Sequence, residues 1–377
     1  DRAGARVAQH SFTLTLDEHL SLNAQEQAFF ATHYGASELS ITAPSLTDAN
    51  EFMHRTALNS EQLERLLAQR RHFPRLSANV PSKNPASPGA GYSRGFPHSS
   101  HYGACYVNGA GSGNYDTATT PDATSIQNDQ YDNAMALVPY EVGDHNGWRI
   151  TKTSPDRLDR MQRMIRLQRW TQIPFTELDT LLISAIRAES PLNLGLQLTA
   201  NTLRALGLYQ YLSRRYPKLA PEEFAAFLHD LTPYNTDDRL PLFDQVFNRL
   251  QVFDTPLVLD QTPFALDATP AAQKTLLQLA AGLGLQPAED SLLLLARQTL
   301  ADFKALTRDL TTVSSLYRQA RIGQMFSLSP ADTLGLAQVL GGDAYRSHLS
   351  RGTLADQATA GSTDILDVLL QMDWALG

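Results

Sequence analysis

Gly91-Tyr92-Ser93-Arg94-Gly95 has the G-x-S-x-G spacing of a serine hydrolase. That chemistry needs the serine on a strained strand-to-helix turn, where its hydroxyl meets a histidine and two backbone donors. Pro85, Ser87 and Pro88 upstream do not make a buried strand, and Phe96-Pro97 downstream is a poor start for a helix. A glycine-rich turn accounts for the stretch better, and a serine hydrolase is kept only as the weakest alternative. His98 and His101, with His145 further on, could be imagined as metal ligands. An i,i+3 pair in a turn-rich segment lacks the usual helical platform, and no H-E-x-x-H or cysteine pair accompanies it. Gly109-Ala110-Gly111-Ser112-Gly113 resembles a phosphate-cradling loop, but Asn114-Tyr115-Asp116 does not open the helix that a dinucleotide fingerprint requires. The carboxylate pairs Asp237-Asp238 and Glu289-Asp290 read as a loop and as a helix first turn, where negative charge complements the macrodipole. We expect no catalytic residue, no metal and no cofactor.

Arginines at 157, 160, 163, 166 and 169 recur at every third residue. At about 100° per residue the row drifts around a helix, and Asp156 and Asp159 stand within i,i+4 reach of Arg160 and Arg163. Most of the row reads as a solvated helix face with internal pairs. Arg169 falls near the Leu158/Met161/Ile165 stripe, beside Trp170, so it is expected at a helix–helix contact, paired with a carboxylate or carbonyl. Tyr92, Tyr102, Tyr115, Tyr131 and Trp148, set among Asn, Asp and Ser, have the composition of an adaptable recognition surface.

The elements that must position these residues fall into three zones: 1–73, 74–150 and 151–377. The first reads as short helices over Asn23–Ala31 and Leu46–Thr56, then one capped by Ser60 with Leu63, Leu66 and Leu67 on one face. The second is crowded with Gly, Pro, Ser, Asn and Tyr; it suggests strands at Ala104–Val107, Met135–Val142 and Trp148–Ile150, with turns at Asn108-Gly109 and Asn146-Gly147. From Thr153 onward the pattern is helical. Ser154-Pro155-Asp156 is a start signal, and Thr176 with Asp179 has capping-box spacing. Similar starts follow at Pro221, Pro287 and Pro330, each preceded by another helix (Asn201–Tyr216, Thr275–Leu283, Val313–Phe326). Their uneven spacing argues against a fixed-period solenoid. The expected fold is mainly α: irregular stacked αα-hairpins with a small β-containing, Gly/Pro-rich insertion. Thr232 to Pro270, with five prolines and several aromatics, is expected to pack as an ordered excursion.

Composition sets the limits. The chain has 377 residues, 42% hydrophobic and 19% charged, with a net charge of −8. That excludes whole-chain disorder and disfavours a dedicated nucleic-acid binder. Its single cysteine, Cys105, excludes a disulfide framework. No apolar run approaches the ~20 residues of a membrane span. The start at Asp1 and the apolar run Ile365–Leu370 near the end suggest a piece of something larger.

Several phrases in the helical part carry a resemblance. Asp156-Arg157-Leu158-Asp159-Arg160-Met161, Ile165-Arg166-Leu167-Gln168-Arg169-Trp170 and Pro174-Phe175-Thr176-Glu177-Leu178-Asp179 resemble the A component of the Tc insecticidal toxin complexes. So do Asn201-Thr202-Leu203-Arg204-Ala205-Leu206, Leu242-Phe243-Asp244-Gln245-Val246-Phe247-Asn248 and Thr312-Val313-Ser314-Ser315-Leu316-Tyr317-Arg318. Thr56-Ala57-Leu58 and Tyr106-Val107-Asn108-Gly109 extend it, while 79–147 matches least. The resemblance implies a helical shell segment, related to the Salmonella virulence plasmid A protein family, of a secreted subunit. That subunit forms a bell-shaped homopentamer around a channel and delivers an enzyme into host cells. No active site of the family maps onto this segment, and its partners would be other protomers and the rest of the parent chain.

Three functions therefore stand: a non-enzymatic structural and interaction segment, a host receptor- or glycan-binding module using 79–147, and a serine hydrolase on Ser93. The first expects no cleft lined by converging titratable groups; such a cleft would weigh heavily against it.

Overall fold

The computed structural model describes residues 24–35, 46–80, 103–109, 134–142, 145–189, 193, 195–235, 239–249, 252–267, 269–355 and 361–377. It forms two compact units, the first drawn from 1–74, 99–118 and 124–179, the second from 75–98, 119–123 and 180–377. The chain is mainly α: the described residues form fourteen α-helices and two small two-stranded antiparallel sheets.

In the first unit, α1 (Ala24–Tyr34), α2 (Ala49–Thr56) and α3 (Ser60–Leu66) precede a short α4 (Cys105–Asn108), a hairpin of β2 (Ala136–Val142) and β3 (His145–Thr151), and α5 (Pro155–Thr171). Ser154 caps α5 through the Arg157 N–H, with Pro155 in the first turn, as its start signal predicts. Asn59, not Ser60, caps α3, because Gln62 returns the bond and closes a capping box. The aromatic residues of α1 build the core: Phe30 stacks on Tyr34 at 5.8 Å, and Tyr34 meets Phe52 at 5.9 Å. The Tyr34 hydroxyl donates to the Leu158 carbonyl at 2.5 Å, and Gln162 reaches the His33 carbonyl at 2.9 Å, which ties α1 to α5.

Three expectations fail here for identifiable reasons. Ala104–Val107 is not a strand: the Asp179 carboxylate accepts the N–H groups of Cys105 and Tyr106, donors that begin a helical turn. Asn146-Gly147 is not the turn: Asn146 pairs with Glu141 and Gly147 with Tyr140 inside the hairpin. A Cβ on Gly147 would lie 2.9 Å from the Tyr140 ring, so glycine there makes room for the tyrosine rather than for a turn. The arginine row is not a solvated face, since Arg160 and Arg163 are buried.

The second unit holds most of α6 (Phe175–Glu189), then α7 (Ala200–Arg215) and α8 (Pro221–Leu228). A two-residue sheet pairs β1 (Arg75–Leu76) with β4 (Tyr234–Asn235). After α9 (Leu242–Phe247) come α10 (Pro270–Leu283), α11 (Leu292–Phe303), α12 (Leu310–Met325), α13 (Pro330–Arg351) and α14 (Ile365–Leu376), with successive helices from α10 onward packed on one another. The stretch between Thr232 and Pro270 buries Phe243, Leu257 and Leu259. Pro287 opens a turn, closed by the Ser291 N–H to Ala288 bond at 3.1 Å, and α11 starts only at the apolar run from Leu292. Helix α13 is bent at Gly341-Gly342, where Gly342 takes φ +65° and ψ −152°. A fully buried polar knot sits between α11 and α12: Thr299 meets Ser315 at 2.9 Å and accepts from Gln319 at 2.9 Å.

Candidate functional site: a cleft at converging helix ends

The C-terminal ends of α6, α8, α11 and α13 converge in the second unit. Each leaves backbone carbonyls without intrahelical donors and carries partial negative charge. Arg318, from the middle of α12, answers several of them. Its Nε donates to Ala226 O at 3.1 Å, Nη1 to Ser350 O at 2.5 Å and Nη2 to His229 O at 2.8 Å. Gly352, at φ +67°, lets the guanidinium pass, because a Cβ there would lie 2.4 Å from Arg318 Nε. Arg351 likewise donates to Asp302 O at 2.6 Å. The Asp302 carboxylate accepts from Gln298 and Ser347, each at 2.8 Å, and from Ser350. Burial alone would raise its pKa, but the bonds from Ser350, Gln298 and Ser347 and the charge of Arg351 hold it below the usual range.

Around these residues lies a cleft of about 410 Å³, whose walls include Arg187, His229, Asp230, Phe303, Arg351 and Leu354. Burial, then the charges of Arg187 and Arg318, push His229 down to about 3, so its ring is neutral at physiological pH. Burial raises Asp230 to about 6 against the attraction of Arg318. Burial also lowers Arg318 to about 10, with Asp230 opposing. The expectation of no cleft with converging titratable groups is therefore wrong. Its cause is visible: buried helix ends recruit arginines into the cleft, and burial shifts the titratable groups gathered there. The lining holds no serine or cysteine, so no activated nucleophile of those types faces the cleft among the described residues.

The residues singled out from sequence lie elsewhere. Tyr92, Ser93, His98, His101, Tyr102, Tyr115, Tyr131, Asp237 and Asp238 fall outside the described residues. Trp148 is exposed on β3, with the Arg70 guanidinium 3.9 Å from its ring centroid. Arg169 Nη2 donates to the Thr56 carbonyl at the end of α2, and Trp170 beside it is exposed. Glu289 pairs with Arg297. Asp156 and Asp159 pair with Arg160 and Arg163 at 2.8 and 2.5 Å. No group of three His, Cys, Asp or Glu side chains that could hold a metal occurs among the described residues. None of the described helices is long and apolar enough to cross a membrane. Sequence reasoning missed Arg318 and Asp179 as organising centres. The available signal was a lone arginine inside an otherwise uncharged helical run, Leu310–Ala320.

The fold and its polar centres define a mainly helical protein built on charged residues that hold helix ends. No family model matches the chain. Over 371 residues it is 31% identical to toxin subunit YenA1 of Yersinia entomophaga, an alignment covering 98% of this chain and 29% of that protein. The chain is thus related to the A components of the Tc toxin complexes. It spans under a third of that relative's length. A cryo-EM structure of TcaA-TcaB from Yersinia pseudotuberculosis is also similar, with 20% identity and a TM-score of 0.43, covering 57% of this chain and 10% of that one.

Proposed function

We propose that the chain is a non-enzymatic structural and interaction segment of the helical shell of a secreted bacterial toxin subunit. The observation that carries this reading is the alignment of nearly the whole chain with part of a toxin subunit. In this reading the parent subunit assembles as a homopentamer and translocates an enzyme into host cells, and the chain's partners are neighbouring protomers and the remaining domains. The packing supports it, because two buried polar centres, Arg318 and Asp179, spend their hydrogen bonds on backbone groups. The cleft near Arg318 is the observation that weighs against a purely structural role. Its lining holds three arginines, Arg187, Arg318 and Arg351, which suit the binding of an anion.

Electron microscopy of the full-length natural gene product tests the reading. A five-fold bell-shaped particle is expected, and a monomeric particle would end it. A second reading, recognition of a host receptor or glycan, draws on exposed Trp148. Cell-binding measurements with a Trp148 variant separate the two.

A further inference from the structure

The cleft at the helix ends contains a buried positive charge to which no carboxylate of the described residues is hydrogen-bonded. Arg318 is 2% exposed, and its hydrogen bonds go to the carbonyls of Ala226, Ser350 and His229, not to a carboxylate. Carbonyls satisfy its donors but carry no full charge, so its compensation comes only through space, from Asp230 among the described residues, whereas buried charges are ordinarily paired directly. The nearby carboxylates have other work. Asp302 is held by Gln298, Ser347 and Ser350 and faces Arg351 at 3.5 Å. Glu189 accepts from Thr199 at 2.8 Å and Asn201 at 3.3 Å. Asp230 acts on Arg318 only through space and is bonded by Ser314.

A further feature of the same cleft points to a ligand. The volume, about 410 Å³, falls within the roughly 300–1,000 Å³ of small-molecule sites, and Leu228, Phe303 and Leu354 supply an apolar wall beside the cations. We propose that this cleft binds a small organic oxyanion, a carboxylate or phosphate group on a short apolar body. Arg318 and Arg187 supply the charge, Arg351 closes the rim, and Phe303 and Leu354 contact the body. Planar guanidinium groups match such oxyanions with paired donors, which favours them over a simple halide.

Calorimetric titration of the chain with sodium hexanoate and with sodium phosphate, at constant ionic strength against chloride, tests this. Saturable binding of at least one anion is expected, with a dissociation constant of about 1 mM or tighter. Hexanoate binding identifies a carboxylate ligand, and phosphate binding without it identifies a phosphate. Arg351→Gln should weaken binding at least about fivefold, as loss of one charge-assisted bond does. Thr311→Trp, at an exposed position on the cleft wall, should block it. Unchanged melting curves for both variants establish that they fold. Absence of saturable binding by the parent chain, or full affinity in the folded Thr311→Trp variant, would overturn the proposal; the latter outcome means an adventitious ion only.

Discussion

The carboxylate of Asp179 accepts the backbone N–H of Tyr106 at 2.8 Å, and that of Cys105 at 3.0 Å, across more than seventy residues of sequence. It holds α4 in place from outside. Burial pushes Asp179 up to about 7, against the bonds from Tyr106, Cys105 and Gly103. A folded pKa above the unfolded value means that the native state binds the proton more tightly between about pH 4 and 7. The contribution from this group is therefore fully present below about pH 4 and is lost as pH rises through 7. Asp179→Asn removes that titration. Urea denaturation at pH 5 and pH 8 should show the variant's relative destabilisation larger at pH 5. A difference that grows toward pH 8 would contradict the assignment.

Arg318 should be the most sensitive single position in the second unit. Arg318→Met leaves three carbonyls without their donor, each costing roughly 1–3 kcal/mol, while removing a buried charge returns part of that. The expected net loss is roughly 2–4 kcal/mol by chemical denaturation. Gly352→Ala should be destabilising too, since the added Cβ meets the guanidinium and φ is +67°. A Gly352→Ala chain as stable as the parent would show that the guanidinium is not confined there.

What could be read from sequence was local. Ser154-Pro155 and Ser329-Pro330 start helices because cap and first-turn proline act within four residues, and both do so here. The buried leucines 63, 66 and 67 follow from helical periodicity. The misses are long-range. Thr176 and Asp179 have capping-box spacing, yet the Asp179 carboxylate bonds α4, and nothing in a four-residue window reveals such a partner. Arg318 reaches carbonyls 32 to 92 residues away. Its importance depends on where helices end in space. Trp148 and its flanking strand were legible, but its contact with Arg70 was not.

The bend in α13 gives a backbone prediction. Gly342, at φ +65° and ψ −152°, occupies a region that is essentially open only to glycine. At Gly341 a Cβ would lie 2.1 Å from the Tyr345 ring. Gly342→Ala is expected to cost about 1–3 kcal/mol, from the strain of that conformation. Thermal melting of the Gly342→Ala chain beside Gly335→Ala makes the comparison. Gly335 has no neighbour within 4 Å of an added Cβ and lies in a regular stretch of the helix. That second change should be neutral or stabilising by up to about 1 kcal/mol. Equal effects from the two would mean that α13 is not bent at Gly342 in solution.

The stack of Arg70 on Trp148 is anchored from the arginine side. Arg70 has φ +56°, a left-handed conformation that is unfavourable for a side-chain-bearing residue, and it also pairs with Glu64 at 2.6 Å. Both contacts hold the guanidinium over the ring, which leaves the indole partly exposed. A double-mutant cycle of Arg70→Ala and Trp148→Ala should give a coupling of about 0.5–1 kcal/mol, as an exposed cation–π pair does. Arg70→Gly should lose less stability than Arg70→Ala, because glycine tolerates the positive φ. If Trp148 serves the fold alone, the Trp148→Ala protein binds host cells as the parent does. Lost binding by a Trp148→Ala chain that still melts cooperatively, with only the small loss the coupling accounts for, would instead assign Trp148 to recognition, and the coupling to Arg70 would then be the device that presents the ring.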